Sequence, residues 1–377
     1  MNNVAEFKTV EKWLTFRAST PTTKNGYLCK FAYFLKISKI NPDELINEWK
    51  TVRYDPLKKQ KFIDKISEII EDFYVYLMNR KTLAELTKRN TFMTIKSFMK
   101  FYNIPLEFKD PSLKACVTYH NRDIKKEEIK KILDVSKLRE KTFFLMMCES
   151  GLRPDTMVKL KYKHIKQDFE KAIIPMKIWL PAEVLKDRVG DRFSFVGEDG
   201  YNLLKSYLST LPKLNDDDYL FQPEKHTGKN EPLPPTTFSN YFRKIAIKLG
   251  LTEGRVKGKP NPLRLYCLRK YFRNNCKAES SLREFWMGHS LGVDEHYIQR
   301  DVELHRRAYA EAYPLLRIYE PTSNNKVSSL EDELKKAYQT IGQLQQIVTT
   351  LASNETISNI LGKDREKLLE QLQKLKQ

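Results

Sequence analysis

Cysteine is sparse and scattered. The five cysteines, Cys29, Cys116, Cys148, Cys267 and Cys276, are odd in number and form no C-x-x-C pair. That excludes a disulfide framework and a zinc knuckle, and points to a reducing compartment. The opening MNNVAEFKTVEKWL has no apolar signal core, and no run of about 18 apolar residues occurs to cross a bilayer. A soluble cytoplasmic protein without membrane contact is expected. No G-x-x-x-x-G-K-[ST] phosphate loop, no H-E-x-x-H pair and no zinc-deaminase pattern is present, which excludes those routes to hydrolysis. Carboxylates are numerous, but no pair stands out as a two-metal nuclease site. His289, His296 and His305 share no i,i+4 face. Neither a metal nor an organic cofactor is expected.

Positive charge is what the chain has in excess. Lys and Arg number 67 against 48 Asp and Glu, a formal +19 over 377 residues. A surplus of that size points to a polyanionic partner, because each Lys or Arg set against a phosphate releases condensed counterions. The alternative is a basic proteome or a ribosome-associated protein. Hydrophobic residues make up 41% of the chain, enough for ordinary cores, and the length suits two domains with an extension.

The periodicity is mainly helical. STPTTKNGYLCKFAYFLKI offers Thr20 as an N-cap and Pro21 at the first helical position, followed by Tyr27, Phe31, Phe34 and Leu35 at helical spacing. Further helices are expected near 62–80, with Ile66, Ile69, Ile70, Phe73 and Leu77 inward, and near 83–102, with Ile95, Phe98 and Met99 inward. Lys88, Arg89, Lys96 and Lys100 are placed on the outer faces. NIPLEFKDPSLKACVTYHNRDI reads as a linker. Helices resume, break at Gly151 and restart at Pro154. KAIIPMKIWLPAEVLKDRVGDRFSFVG turns to β-rich runs around the charged turn KDRVGDR, a hairpin or small meander. The fold class expected is mainly α with a small β-sheet. Its domains are a helical unit at 1–110, a second at 123–321 and a tail at 326–377. In the tail Leu330, Leu334, Ala337, Ile341, Leu344, Val348 and Leu351 alternate four and three apart. That is a coiled-coil seam of about three heptads, or an amphipathic hairpin packed on its own chain.

Metal-free phosphodiester chemistry needs a nucleophile, fixed positive charge for the crowded phosphorus, and an acid for the leaving 5′ oxygen. Arginine suits the charge, since its planar fork engages two phosphate oxygens and keeps its proton. Arg153 lies in SGLRPDT, after a glycine and before a proline helix start, and Arg269 lies in the helical LYCLRKYF. FWMGHS brings Gly288 and His289, and Tyr297 follows shortly; Phe285 and Trp286 read as core. MGHS by itself also reads as a helix start capped by Ser290.

Taken in order, these motifs resemble the tyrosine recombinase (phage integrase) family over roughly residues 125 to 320, and look most like archaeal and archaeal-virus integrases. The family pattern is an arginine in a T/S-G-L-R turn, a β-hairpin lysine, H-x-x-R, then G-H and a nucleophilic tyrosine. The resemblance implies a two-domain DNA clamp whose residues 1–110 are a core-binding domain and whose residues 123–321 are catalytic. Arg153 and Arg269 become the clamp on the scissile phosphate. Lys186 is the general acid, with Lys177 as rival, and His289 hydrogen-bonds a non-bridging oxygen. Tyr297 attacks to leave a 3′-phosphotyrosine and a 5′ hydroxyl, so rejoining needs no ATP. The partners implied are double-stranded DNA and further copies of the chain, as dimer or tetramer. Two departures stand out. Tyr266 occupies the histidine position of H-x-x-R, and a phenol with an ordinary pKa of about 10 is a poor base near neutral pH. Thr156, preceded by Asp155, stands where an acidic residue is expected. Type IB topoisomerase-like relaxation and non-enzymatic DNA binding by a degenerate member are the alternative outcomes.

Overall fold

Prolines open several helices in this chain. Pro21, Pro42 and Pro56 each take a first helical position, where an N–H would lack an intrahelical partner and the fixed φ already suits the helix. The residue before each supplies the cap. Thr20 accepts from the Thr23 N–H, Asn41 from Asp43 and Glu44, and Asp55 from Leu57 and Lys58. The computed structural model describes residues 4–18, 20–108, 121–186, 190–224, 230–254, 261–292 and 298–319, with a few positions between 334 and 346. Among them the protein is mostly helical with one two-stranded sheet, the class that the periodicity predicts. No described helix is long and apolar enough to cross a membrane.

The chain divides into two compact units, 1–124 with 239–267 and 125–238 with 268–377. The first holds α1 (Lys8–Arg17), α2 (Pro21–Ser38), α3 (Pro42–Val52), α4 (Pro56–Met78) and α5 (Glu85–Phe101). Their apolar stripes meet in an aromatic core of Trp13, Phe31, Phe34, Phe73 and Phe98, with Phe31 and Phe98 ring centroids 4.5 Å apart. Each such side chain removed from water stabilises by roughly 1.5–3 kcal/mol. The helix expected near 62–80 starts earlier because Asp55 and Pro56 form its cap. Lys88 is not on a solvated face. It is buried, and its Nζ reaches the Met78 carbonyl at 3.2 Å and Glu85 at 2.9 Å, where it satisfies a carbonyl left over at the end of α4.

The second unit contains α6 (Lys126–Asp134), α7 (Leu138–Ser150), α8 (Pro154–Met157), α9 (Lys166–Glu170), β1 (Met176–Leu180), β2 (Arg192–Val196) and α10 (Glu198–Leu208). Helix α11 (Pro235–Lys248) passes from it into the first unit, and α12 (Tyr266–Asn275) passes back. Then come α13 (Ser280–Trp286) and α14 (Val302–Leu316). The strands pair antiparallel from Met176↔Val196 to Leu180↔Arg192. All five β2 residues are buried. Ser194 Oγ donates to the Ser150 carbonyl at 2.9 Å, and the Phe193 ring lies 5.1 Å from that of Phe285. Arg192, which reads as part of the charged turn, is a buried strand residue with its guanidinium 4.8 Å over the Phe285 ring, a face that attracts a cation. Phe285 and Trp286 are core, as their pattern predicts. Most of the expected coiled-coil seam lies outside the described residues; Leu334, Ile341 and Leu344 are exposed.

Candidate active site

The end of α7 builds the first element. Gly151 adopts φ +65° and its N–H closes on the Met147 carbonyl at 3.0 Å, which stops the helix. A Cβ there would meet Phe272 Cδ1 at 2.3 Å, so glycine is required both for its backbone and for the approach of α12. Arg153 follows in extended conformation, φ −72° and ψ 147°, as suits a residue before proline. Pro154 then opens α8.

Arg269 comes from α12. It is 1% exposed, and its guanidinium donates to the Gly151 carbonyl through Nη1 and to the Met287 carbonyl at 3.0 Å through Nη2. Nη2 also donates to His289 Nε2 at 2.5 Å. Burying a guanidinium is tolerated only when its donors find acceptors. Arg153 Nη1, in turn, donates to the Gly288 carbonyl at 3.2 Å. Each arginine thus grips the turn that carries another predicted residue, across 118 and 135 positions of sequence.

MGHS is first of all a helix end, and Ser290 Oγ then accepts the Gly292 N–H at 3.5 Å. Gly288, at φ +68°, donates its N–H to Phe285 O at 2.9 Å, and His289 donates its N–H to Glu284 O at 3.1 Å. This pair of bonds is the Schellman motif, which sets the residue after the glycine beside the third residue from the helix end. Here those residues are His289 and Glu284, and His289 Nδ1 is hydrogen-bonded to Glu284 Oε2. Burial lowers the pKa of His289 and the charges of Arg269 and Arg153 add to this, while Glu284 opposes it. Burial pushes Glu284 up, but its hydrogen bond from His289 and the nearby positive charges leave it below the usual carboxyl range. No chemistry motif marks Glu284 in the sequence; its signal is the E-x-x-x-G-H spacing.

Lys186 is exposed beyond the end of β1. Just before it, Val184 and Leu185 are buried; Thr156 Oγ1 donates to the Val184 carbonyl at 3.3 Å, and Leu185 Cδ2 lies 2.9 Å from where a Cβ on Gly288 would stand. Lys186 therefore emerges beside the turns that carry Arg153 and His289. Lys177 on β1 points its Nζ to Gln167 Oε1 at 3.3 Å. Tyr266 opens α12 and is 44% exposed. Tyr297 lies outside the described residues. Two neighbours in sequence are accounted for structurally. Tyr309 is buried and donates to the Glu149 carbonyl at 2.8 Å, and Tyr313 donates to Glu149 Oε1 at 3.3 Å while accepting from the Asp199 N–H at 3.0 Å. Burial pushes both phenols up. No group of three or more His, Cys, Asp or Glu placed to hold a metal occurs among the described residues.

A sequence model of the phage integrase family matches residues 122–290. No curated protein matches the sequence. Among solved structures, the integrase of transposon Tn1549 in complex with transposon right end DNA is similar at 14% identity, over 87% of this chain and 98% of that one, with a TM-score of 0.51. The same integrase with a circular intermediate DNA gives 13% identity, 86% and 98% coverage and a TM-score of 0.50. The XerH site-specific recombinase bound to its difH substrate gives 17%, 80% and 82%, with a TM-score of 0.49. At such identities the likeness is one of fold.

Proposed function

Because the chain belongs to the phage integrase (tyrosine recombinase) family through residues 122–290, we propose that it is a site-specific DNA recombinase or integrase, cutting and rejoining double-stranded DNA through a 3′-phosphotyrosine. The observation that carries this reading is the cross-bracing of Arg153 and Arg269 through the Gly288 and Gly151 turns, with His289 on the same guanidinium. Two arginines held by backbone carbonyls are pre-oriented, so little reorganisation opposes stabilisation of the charge that develops on a phosphate. In this reading Tyr297 attacks phosphorus, Arg153 and Arg269 clamp the non-bridging oxygens, and Lys186 protonates the leaving 5′ oxygen. Tyr266, exposed one helical turn before Arg269, hydrogen-bonds to the substrate phosphate. Guanidinium and ammonium groups carry the charge, so neither a metal nor ATP enters a step.

Residues 1–110 serve as the core-binding domain. A groove of about 1080 Å³ in the first unit, lined by Arg17, Lys30, Lys96 and Lys100 with Tyr27 and Asn90, supports a DNA backbone as its occupant. Residues 123–321 carry the chemistry, and the tail at 326–377 joins protomers on two duplexes.

The test uses nicked suicide duplexes with a randomised sequence about the nick, incubated with the full chain in excess EDTA. Covalently captured DNA is sequenced, and the linked peptide is mapped. Capture at Tyr297 is expected, and Tyr297→Phe should abolish it while leaving DNA binding intact. Strict Mg²⁺ dependence of cleavage, or capture surviving in Tyr297→Phe, refutes the reading. Joints between two duplexes distinguish recombination from relaxation of one.

A further inference from the structure

Glu284 has no role in the mechanism above, yet it holds His289 at two points. Its carbonyl accepts the His289 N–H at 3.1 Å and its carboxylate bonds the Nδ1 side of the ring. The other ring nitrogen, Nε2, faces Arg269 Nη2 at 2.5 Å. Guanidinium N–H groups only donate, so Nε2 must be the acceptor, and the proton of the neutral ring is on Nδ1. We propose that Glu284 is the positioning residue for His289, committing it to the Nδ1–H tautomer so that His289 meets the reacting groups through Nε2 as a proton acceptor.

The proposal rests on the recombinase reading of this site and changes one role within it. The family resemblance makes His289 a donor to a non-bridging oxygen, whereas the Glu284 bond makes it a base. When a phosphate engages Arg269, Nε2 keeps its lone pair. The attacking hydroxyl gives its proton to Nε2 as its oxygen bonds phosphorus, and the leaving 5′ oxygen takes a proton from the general acid. One proton is thus accepted and one donated as the P–O bonds exchange. The imidazolium formed faces the Glu284 carboxylate across the Nδ1–H bond, the arrangement by which a carboxylate orients and steadies a catalytic histidine. A base at this point also suits a chain in which Tyr266 replaces the histidine of H-x-x-R.

Among the described residues, charged groups come to the ring from three elements. α13 supplies Glu284, with Arg283 acting on that carboxylate; α12 supplies Arg269, with Arg273 Nε 3.5 Å from Glu284 Oε1; and Arg153 stands at the start of α8. Among the described residues Glu284 is thus the carboxylate opposing these four arginines. Burial, Arg269 and Arg153 lower the histidine pKa and Glu284 raises it. Removing that charge should weaken the base.

The experiment measures single-turnover cleavage of a duplex selected by the wild-type chain, from pH 5 to 9, alongside nitrogen-15 NMR of the histidines in the full chain. The His289 signal is assigned by its loss in His289→Gln. Glu284→Gln keeps an acceptor for Nδ1–H but loses the charge. It should slow cleavage by about 10–100-fold, the scale seen when the carboxylate partner of a metal-bound histidine is removed. Its acid limb should also move to lower pH by about one unit, the effect of roughly 1.4 kcal/mol on the histidine. Glu284→Ala should be slower still and lose the Nδ1–H tautomer. Superimposable pH profiles for wild type and Glu284→Gln overturn the proposal, as does an Nε2–H tautomer in the wild-type chain. The NMR needs no DNA, so it judges Glu284 even if the wild type captures no duplex, an outcome that sinks the recombinase reading and the catalytic part of this one.

Discussion

Gly151→Ala is the substitution that probes the site most directly. Gly151 sits at φ +65°, and holding an L-residue in left-handed conformation costs about 1–2 kcal/mol. The added Cβ would also lie 2.3 Å from Phe272 Cδ1. The aromatic ring belongs to the buried core, so it yields only by shifting α12 or the turn, at the 1–3 kcal/mol or so typical of overpacking. Together these predict a loss of about 2–5 kcal/mol in urea denaturation. Activity should suffer in parallel, because the Gly151 carbonyl holds Arg269 and Arg153 lies two residues on; displacement by about 1 Å costs on the order of 10²-fold in rate. Phe272→Ala removes the clash, so the double variant should be more stable than the two separate losses imply, by about 1–3 kcal/mol. Strict additivity of Gly151→Ala and Phe272→Ala would refute this account of the turn, as would a Gly151→Ala loss below about 1 kcal/mol.

Tyr309→Phe leaves the Glu149 carbonyl without its buried donor, which should destabilise by about 1–3 kcal/mol while covalent capture of DNA continues; capture abolished in Tyr309→Phe or Tyr313→Phe but not in Tyr297→Phe would move the nucleophile. Lys186→Ala should slow cleavage by roughly 10²–10⁴-fold, and a duplex with a 5′-bridging sulfur, whose leaving group needs no proton, should recover most of that; recovery with Lys177→Ala instead would transfer the role to β1. Glu149 is fully buried, and burial, assisted by Asp199, pushes its carboxyl up to about 8. The folded state therefore holds a proton that the unfolded state has released. Stability should fall as pH rises from about 4.5 to about 8, by at most roughly 1.4 kcal/mol per unit, and Glu149→Gln should flatten that slope in urea titrations; parallel slopes would count against it.

Local signals were legible in the chain itself. Thr20 with Pro21, the Gly151 break and the Pro154 restart all lie within one helical turn, and caps and turns depend on residues three or four apart. The inward stripe of Phe31, Phe34, Phe73 and Phe98 was readable for the same reason, since helical period alone selects a face. The Glu284–His289 contact is also local, but it follows only once Gly288 adopts the left-handed conformation that ends the helix. Other features could come only from tertiary structure. Lys88 and Arg192 look like surface charges by type, and only the carbonyl of Met78 and the face of Phe285 explain their burial. Thr156, which breaks the expected acidic pattern, anchors the Val184 carbonyl just before Lys186, a partner no spacing rule supplies. Which residues are suited to grip a phosphate follows from side-chain chemistry and needs no fold. That Arg269 is buried against the Gly151 carbonyl, 118 positions away, was decided by the packing of α12 on the end of α7, since a buried guanidinium is stable only where folding brings acceptors to it.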